Sequence, residues 1–240
     1  MEFVIKNTKD VANDGVKMLL FAVSGFGKTT TLGRLEGKTL ILSAESGLLV
    51  LKDKDVDVID IDSIDTLGQV YLSLKSGELK YDNVCLDSLS EIGEMIVAEL
   101  DKDEYYGDPT NTFPMWKEYT KRMINMCKKF RDLKGINIIL IALSEPVEAN
   151  GSIRYMPMIP AKKAQSRLVS LYDEVYYGSI DKDENRIINT SSSSIYDAKS
   201  RAGVKDKQIL THIEDREVLP SDITLGSILK QIQNKSVVSE

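Results

Sequence analysis

The sequence predicts an α/β domain, with a mainly parallel sheet flanked by helices and antiparallel strands added toward the C-terminus. Three observations predict it. Five short runs rich in Ile, Val and Leu read as strands buried on both faces. Helical patterns alternate with those runs, the order that produces a parallel sheet. Beyond residue 175 the texture changes to short β-rich runs separated by polar turns, which reads as antiparallel extension of the sheet. A chain of 240 residues is long enough for one such domain and short for two, so residues 1–233 are read as a single domain and 234–240 as a disordered polar tail.

Taken in order, Met1 to Ile5 reads as an edge strand that pairs within its own chain, the alternative being pairing with a neighbouring subunit. The first buried strand spans 18–23 and hands over to a helix at 28–35. Strands at 39–43, 56–61, 83–87 and 136–143 follow, with helices at 66–74, 88–100 and 116–133 in which apolar residues recur every three or four positions. Ser88 and Glu91 stand at capping-box spacing directly ahead of Ile92, Met95 and Ile96, so a helix begins there and Asp87 ends the strand before it. Carboxyl ends of strands open onto the crevice where ligands bind in open α/β folds. After Leu143 come three prolines, four basic residues and a turn at Asn150-Gly151, read as a hairpin and a mobile loop. Strands at 175–180 and 186–190, a loop at Ser191 to Ser194 and a helix at 224–233 complete the chain.

The composition, 42% hydrophobic and 28% charged, is that of an ordinary globular protein and excludes collagen-like, coiled-coil and disordered chains. No stretch approaches the ~18 apolar residues of a membrane helix. The first ten residues lack the apolar core and cleavage site of a signal peptide, so a cytoplasmic protein without membrane contact is expected. Cys85 and Cys127 lie within apolar patterns and read as reduced core residues. His212 is the only histidine, which excludes a His-based metal or triad site. The net charge of −6 excludes a surface that is basic all over, so any contact with nucleic acid must be local.

Residues 22–30, AVSGFGKTT, lie between a strand and a helix, the setting that the phosphate-binding pattern GxxxxGK[ST] requires; Ala22 replaces the first Gly. Gly25 and Gly27 let successive N–H groups curl around a phosphate at the start of the helix. The candidate nucleotide-binding residues are therefore Ser24, Gly25, Phe26, Gly27, Lys28, Thr29 and Thr30, with ATP and Mg²⁺ as ligands. Lys28 would reach the β- and γ-phosphates, and Thr29 would supply a hydroxyl to Mg²⁺. Asp87, ending NVCLD, fits the carboxylate of an adjacent strand that holds the water shell of that ion. Glu45 lies just beyond the second strand. From a strand beside the phosphate loop it would orient a water for attack on the γ-phosphate, the alternative being an exposed turn glutamate.

With the P-loop AVSGFGKTT, the SAE of Ser43 to Glu45 and the LDS of Leu86 to Ser88, the chain resembles the RecA superfamily, and in particular the small phage ATPases of the Sak recombinase type. The last two are similar to RecA's DAE, which bears its catalytic glutamate, and to its VDS. The resemblance covers roughly residues 15–203. It implies a RecA-like core that hydrolyses ATP, single-stranded DNA as partner, a homo-oligomer with nucleotide at subunit interfaces, and a role in phage recombination or annealing. It places Ser144 where the family senses the γ-phosphate; RecA has an Asn-Gln pair where this chain has Ser144 and Glu145, so sensing by a carboxamide is not carried over. Residues 159–178 and the AKSR of 198–201 resemble further stretches of the phage group. They imply Lys199 and Arg201 as cations that touch nucleotide, from a neighbouring subunit; the alternative is a basic surface turn. Arg154, Lys162, Lys163 and Arg167, near Tyr155, occupy the place of a DNA-contacting loop and suit phosphates and bases. The loop 104–116 offers Tyr105, Tyr106, Phe113 and Trp116, but its Glu104 and Asp108 make it read as an aromatic-anchored surface loop. A different class of function is also compatible: an ATP-gated module that recruits a partner such as a single-strand-binding protein. A small-molecule kinase fits less well, for want of an acid pair after the second strand and of an Arg-rich lid.

Overall fold

The computed structural model describes residues 14–45, 47–149, 151–211, 219 and 221–237. The expectations for Met1 to Ile5, Asn150, His212 and 238–240 lie outside the described residues. In chain order the elements are β1 (Lys17–Ala22), α1 (Lys28–Leu32), β2 (Thr39–Ser43), a 3₁₀ turn at Leu48–Leu51, β3 (Asp57–Asp60), α2 (Ile64–Ser76), β4 (Asn83–Asp87), α3 (Leu89–Asp101) and α4 (Phe113–Arg131). They continue with β5 (Asn137–Ala149), β6 (Ser152–Pro157), α5 (Lys162–Leu171), β7 (Glu174–Ile180), β8 (Arg186–Asn189), β9 (Lys199–Ser200), β10 (Gln208–Ile209) and α6 (Leu225–Val237).

The described strands form one sheet whose main path runs β10-β8-β7-β1-β5-β4-β2-β3. Its six strands from β7 to β3 are mutually parallel, while β8, β9 and β10 add on antiparallel. Alternation along each strand sends side chains to opposite faces. Leu19, Phe21, Leu40, Leu42, Leu86 and Leu140 pack with α2 to α5 on one face; Met18, Leu20, Ile41, Cys85, Ile139 and Ile141 pack with α1 and α6 on the other. Both faces of the central strands are covered, so these read as unbroken apolar runs rather than alternating ones; β3, at the sheet's edge, is largely exposed, which corrects the expectation of a buried strand at 56–61. Cys85 and Cys127 are free and buried, and burial pushes both thiols up, Cys127 to about 12. No helix among the described residues is long and apolar enough to cross a membrane.

Local chemistry sets the helix ends. Ser63 accepts a hydrogen bond from the Thr66 N–H and starts α2, and Gly77 in the left-handed region stops it. Pro114 fits the first turn of α4, where its missing N–H costs nothing, so that helix begins at Phe113, ahead of the expected 116. Helix α6 continues to Val237, past the expected end at Gln233, so the tail expected from Asn234 begins as helix.

Four further differences bear on the site. β5 extends well past Leu143 and folds back as a hairpin onto β6. The mobile loop expected after it contains α5, so Lys162, Lys163 and Arg167 stand on a helix. This helix eluded the sequence because its buried side is narrow, Ala164, Gln165 and Leu168, in an otherwise polar run after two prolines. As a crossover it also carries the chain back to the other end of the sheet, so β7 runs parallel to β1 and only the strands after it are antiparallel. Finally, β5 lies between β1 and β4, with β2 beyond β4, so neither Asp87 nor Glu45 comes from a strand adjacent to the phosphate-loop strand.

Candidate active site

β1 ends at Ala22 in the middle of the sheet, and the chain turns through Val23 to Gly27 into α1. Gly25 and Gly27 have φ of +78° and +88°, a left-handed backbone that side-chain-bearing residues adopt at a cost and that lets the loop curl. No side chain caps α1, which leaves its first N–H groups to an anion. The Lys28 ammonium folds back over this loop and donates to the carbonyls of Ala22 (3.1 Å) and Val23 (3.0 Å). It is 9% exposed. Burial lowers its pKa, and the charges of Glu45 and Asp87 oppose that shift. Ser24 and Gly25 are exposed at the loop's tip, whereas the Phe26 ring is fully buried, so Phe26 offers a ligand only its backbone.

The acids arrive from the far side of β5. The Thr29 hydroxyl donates to the Asp87 carboxylate at 2.7 Å, which joins the start of α1 to the end of β4. The Asp87–Ser88 peptide is cis. Ser88 begins α3 as expected, yet its hydroxyl does not cap the helix; it donates to the Glu45 carboxylate instead. The loop bearing Glu45 is held by Ser43 Oγ donating to the Glu45 carbonyl at 2.8 Å and by the Ala44 N–H donating to the Asp87 carbonyl at 2.8 Å. Burial raises the Asp87 pKa and Glu45 adds to the rise; the Thr29 hydrogen bond and Lys28 work against it. A hydroxyl and a carboxylate in contact, backed by a second carboxylate and with one ammonium close enough to feel both, suit a hydrated divalent cation: Thr29 and Asp87 are the groups that would hold Mg²⁺.

Ser144 sits near the carboxyl end of the parallel part of β5, between the P-loop strand and the Asp87 strand, and its hydroxyl is buried without a hydrogen-bond partner among the described residues. The next residue, Glu145, accepts from Gln165 of α5. Lys199 and Arg201 are not brought to this site. Lys199 pairs with Val175, which is in register with Leu19, whereas the phosphate loop leaves β1 at the level of Gly178. Arg201 is bound to Asp173 just before β7, in a depression shared with Lys17, Arg131 and Asp132 at the opposite end of the sheet. Arg154, on β6, is bound to Asp197 and stands apart from Lys162, Lys163 and Arg167. The sequence reading missed Arg186: from β8 its Nε donates to the Phe26 carbonyl at 2.8 Å, placing a guanidinium against the phosphate loop. A lone arginine opening a short strand carries no signal of that contact.

A strand, a glycine-rich turn and a helix bearing Lys28 and Thr29, answered by Asp87 across the sheet, define a P-loop ATPase. Residues 14–202 match the AAA domain family, and the chain belongs to that family. A search of curated proteins finds no match.

Proposed function

We propose that the protein hydrolyses Mg-ATP in a RecA-like manner and acts on single-stranded DNA, as a homo-oligomer in phage recombination or annealing. The observation that supports it most is the chain of contacts Thr29–Asp87 and Ser88–Glu45, which gathers a hydroxyl and two carboxylates from three separated segments beside Lys28. Lys28 leaves the Ala22 and Val23 carbonyls for the β- and γ-phosphates, which meet its charge better than two neutral acceptors do. Thr29 and Asp87 would hold Mg²⁺, which would supply positive charge to the phosphoryl oxygens. Glu45 orients the attacking water and takes its proton, with Ser88 fixing the carboxylate. The Ser144 hydroxyl, without a partner among the described residues, would donate to the γ-phosphate. Lys199 and Arg201, remote from their own chain's P-loop, are the cations that a neighbouring subunit's nucleotide would receive.

Steady-state ATP hydrolysis with and without single-stranded DNA tests the proposal, with Lys28→Ala as the control. Stimulation by DNA that vanishes in the variant is the expected result. Lys28-dependent hydrolysis indifferent to DNA would favour an ATP-gated module that recruits a partner, for example a single-strand-binding protein.

A further inference from the structure

Helix α4 has two unlike faces. Met115, Tyr119, Met123, Cys127 and Phe130 are buried against the sheet. The outward stripe, spaced i, i+3, i+4, i+8, is Phe113, Trp116, Lys117 and Lys121, two aromatic rings and two ammonium groups where a solvated face would carry ordinary polar residues. Across from it lie Lys162, Lys163 and Arg167 of α5, and Tyr105 and Tyr106 close one end. Together these residues line one groove, so the loop and the basic cluster that look separate in the sequence share a wall.

We infer that this groove binds single-stranded nucleic acid, with bases on the rings of Tyr105, Phe113 and Trp116 and phosphates on the five cations; the inference rests on the DNA-dependent reading above and gives it a site. The rings are open to solvent, Tyr105 at 67%, Phe113 at 74% and Trp116 at 38%, a concentration of exposed apolar surface that marks a binding face. Of the acids near the groove, Glu104 is not part of its lining, and three others have partners, one of these partners being the groove's own Lys121. Asp103 accepts from the N–H groups of Tyr105 and Tyr106, Asp108 accepts from the Thr110 N–H and hydroxyl, and Glu118, the one carboxylate in the lining, is paired with Lys121 and Arg122. The first turn of α5 holds Lys162 and Lys163, no acid and no side-chain cap, so its dipole adds to the positive field. A polyanion with flat, apolar bases matches this alternation of rings and cations, and it must be single-stranded for the bases to reach the rings. Gln165 of α5 hydrogen-bonds Glu145, next to Ser144, which gives the groove a direct link to the nucleotide end of the sheet.

Trp116 is the only tryptophan in the chain, so its emission reports on the groove directly. Oligothymidylate is titrated into the full chain with Mg²⁺ and a non-hydrolysable ATP analogue, following both Trp116 fluorescence and the anisotropy of the labelled oligonucleotide. The expected result is quenching that tracks binding, with affinity falling roughly 100-fold between 50 and 200 mM salt as about five phosphate contacts are screened. Phe113→Ala should weaken binding about 10-fold and Phe113→Tyr should restore it, because tyrosine keeps a stacking face. Combined Lys162→Ala, Lys163→Ala and Arg167→Ala should flatten the salt dependence; circular dichroism and melting check that each variant is folded. Oligonucleotide binding that leaves Trp116 emission and all variants unchanged overturns the groove while the DNA reading survives. Absence of binding at low salt overturns both. Equal or tighter binding of a duplex overturns the stacking role.

Discussion

The Glu45 carboxylate accepts from Ser88, and Ser88 follows the carboxylate that holds Thr29, so substitutions here act on chemistry and on one another. Glu45→Gln keeps shape and can still meet the Ser88 hydroxyl, but it cannot take a proton. Turnover should fall about 100-fold or more while ATP affinity stays near that of the unaltered protein. Equal turnover in a steady-state assay would refute the assignment of Glu45. The same variant has a pH signature. Burial holds the Asp87 pKa above the usual carboxylate range and the Glu45 charge pushes it further. Asp87 would have to be ionised to hold the cation, so Mg-ATP binding should be complete above its pKa and be lost as pH falls through it. Removing the Glu45 charge lowers that pKa and carries binding to more acidic pH, which titration calorimetry at a series of pH values would read. These residues were legible in the sequence because a P-loop and its acids are written in short contiguous segments, SGFGKTT, SAE and LDS. Arg186 was not, since its partner, the Phe26 carbonyl, lies 160 residues away.

At the scale of elements, the site depends on how closely β7 approaches β1. Gly178 is in register with Ala22, and a Cβ there would fall 2.7 Å from the Ala22 Cβ and 2.7 Å from the Phe26 ring. Gly178→Ala must therefore push β7 away from β1 or lift Phe26, the residue whose carbonyl Arg186 grips. Overpacking of this kind costs roughly 1–3 kcal/mol. At about 2–4 °C per kcal/mol for a chain of this size, the melting temperature should drop by several degrees, and ATP affinity should drop with it. A melting curve and nucleotide affinity identical to those of the unaltered protein would show that Phe26 does not pack under β7. The central parallel strands were readable as elements, because burial on both faces leaves them as apolar runs, whereas β3, at the exposed edge, alternates as DVID. Their neighbours in the sheet were not: β5 separates β1 from β4, and nothing in the local pattern of either strand encodes the insertion of a third. Helix α5 was hidden for a related reason, since its apolar stripe is completed by the glutamine that bonds Glu145, a contact made only in three dimensions.

For the whole molecule, the net charge of −6 argues against a surface basic all over, yet a groove lined by five cations and one carboxylate coexists with it. A sum over the chain cannot report how α4 and α5 distribute it. The nucleotide site raises the same issue of placement in energetic form. Lys28 is buried against carbonyls with its pKa lowered by desolvation, and Asp87 is buried with its pKa raised, so the ligand-free protein carries two charges in an environment that favours neither. Phosphates and Mg²⁺ would supply the missing counter-charges only in the folded chain, where β1, β4 and the Glu45 loop are assembled. Mg-ATP at about 100 times its dissociation constant should then stabilise the fold by roughly 2.7 kcal/mol, a rise of about 5–10 °C in melting temperature. Chelating the metal should remove most of that rise, because the γ-phosphate would then face Asp87 and Glu45 unscreened, and Lys28→Ala should remove it with the metal present. An equal rise for ATP with and without Mg²⁺ would mean that Asp87 holds no cation, and would leave Thr29–Asp87 as a contact that only ties α1 to β4.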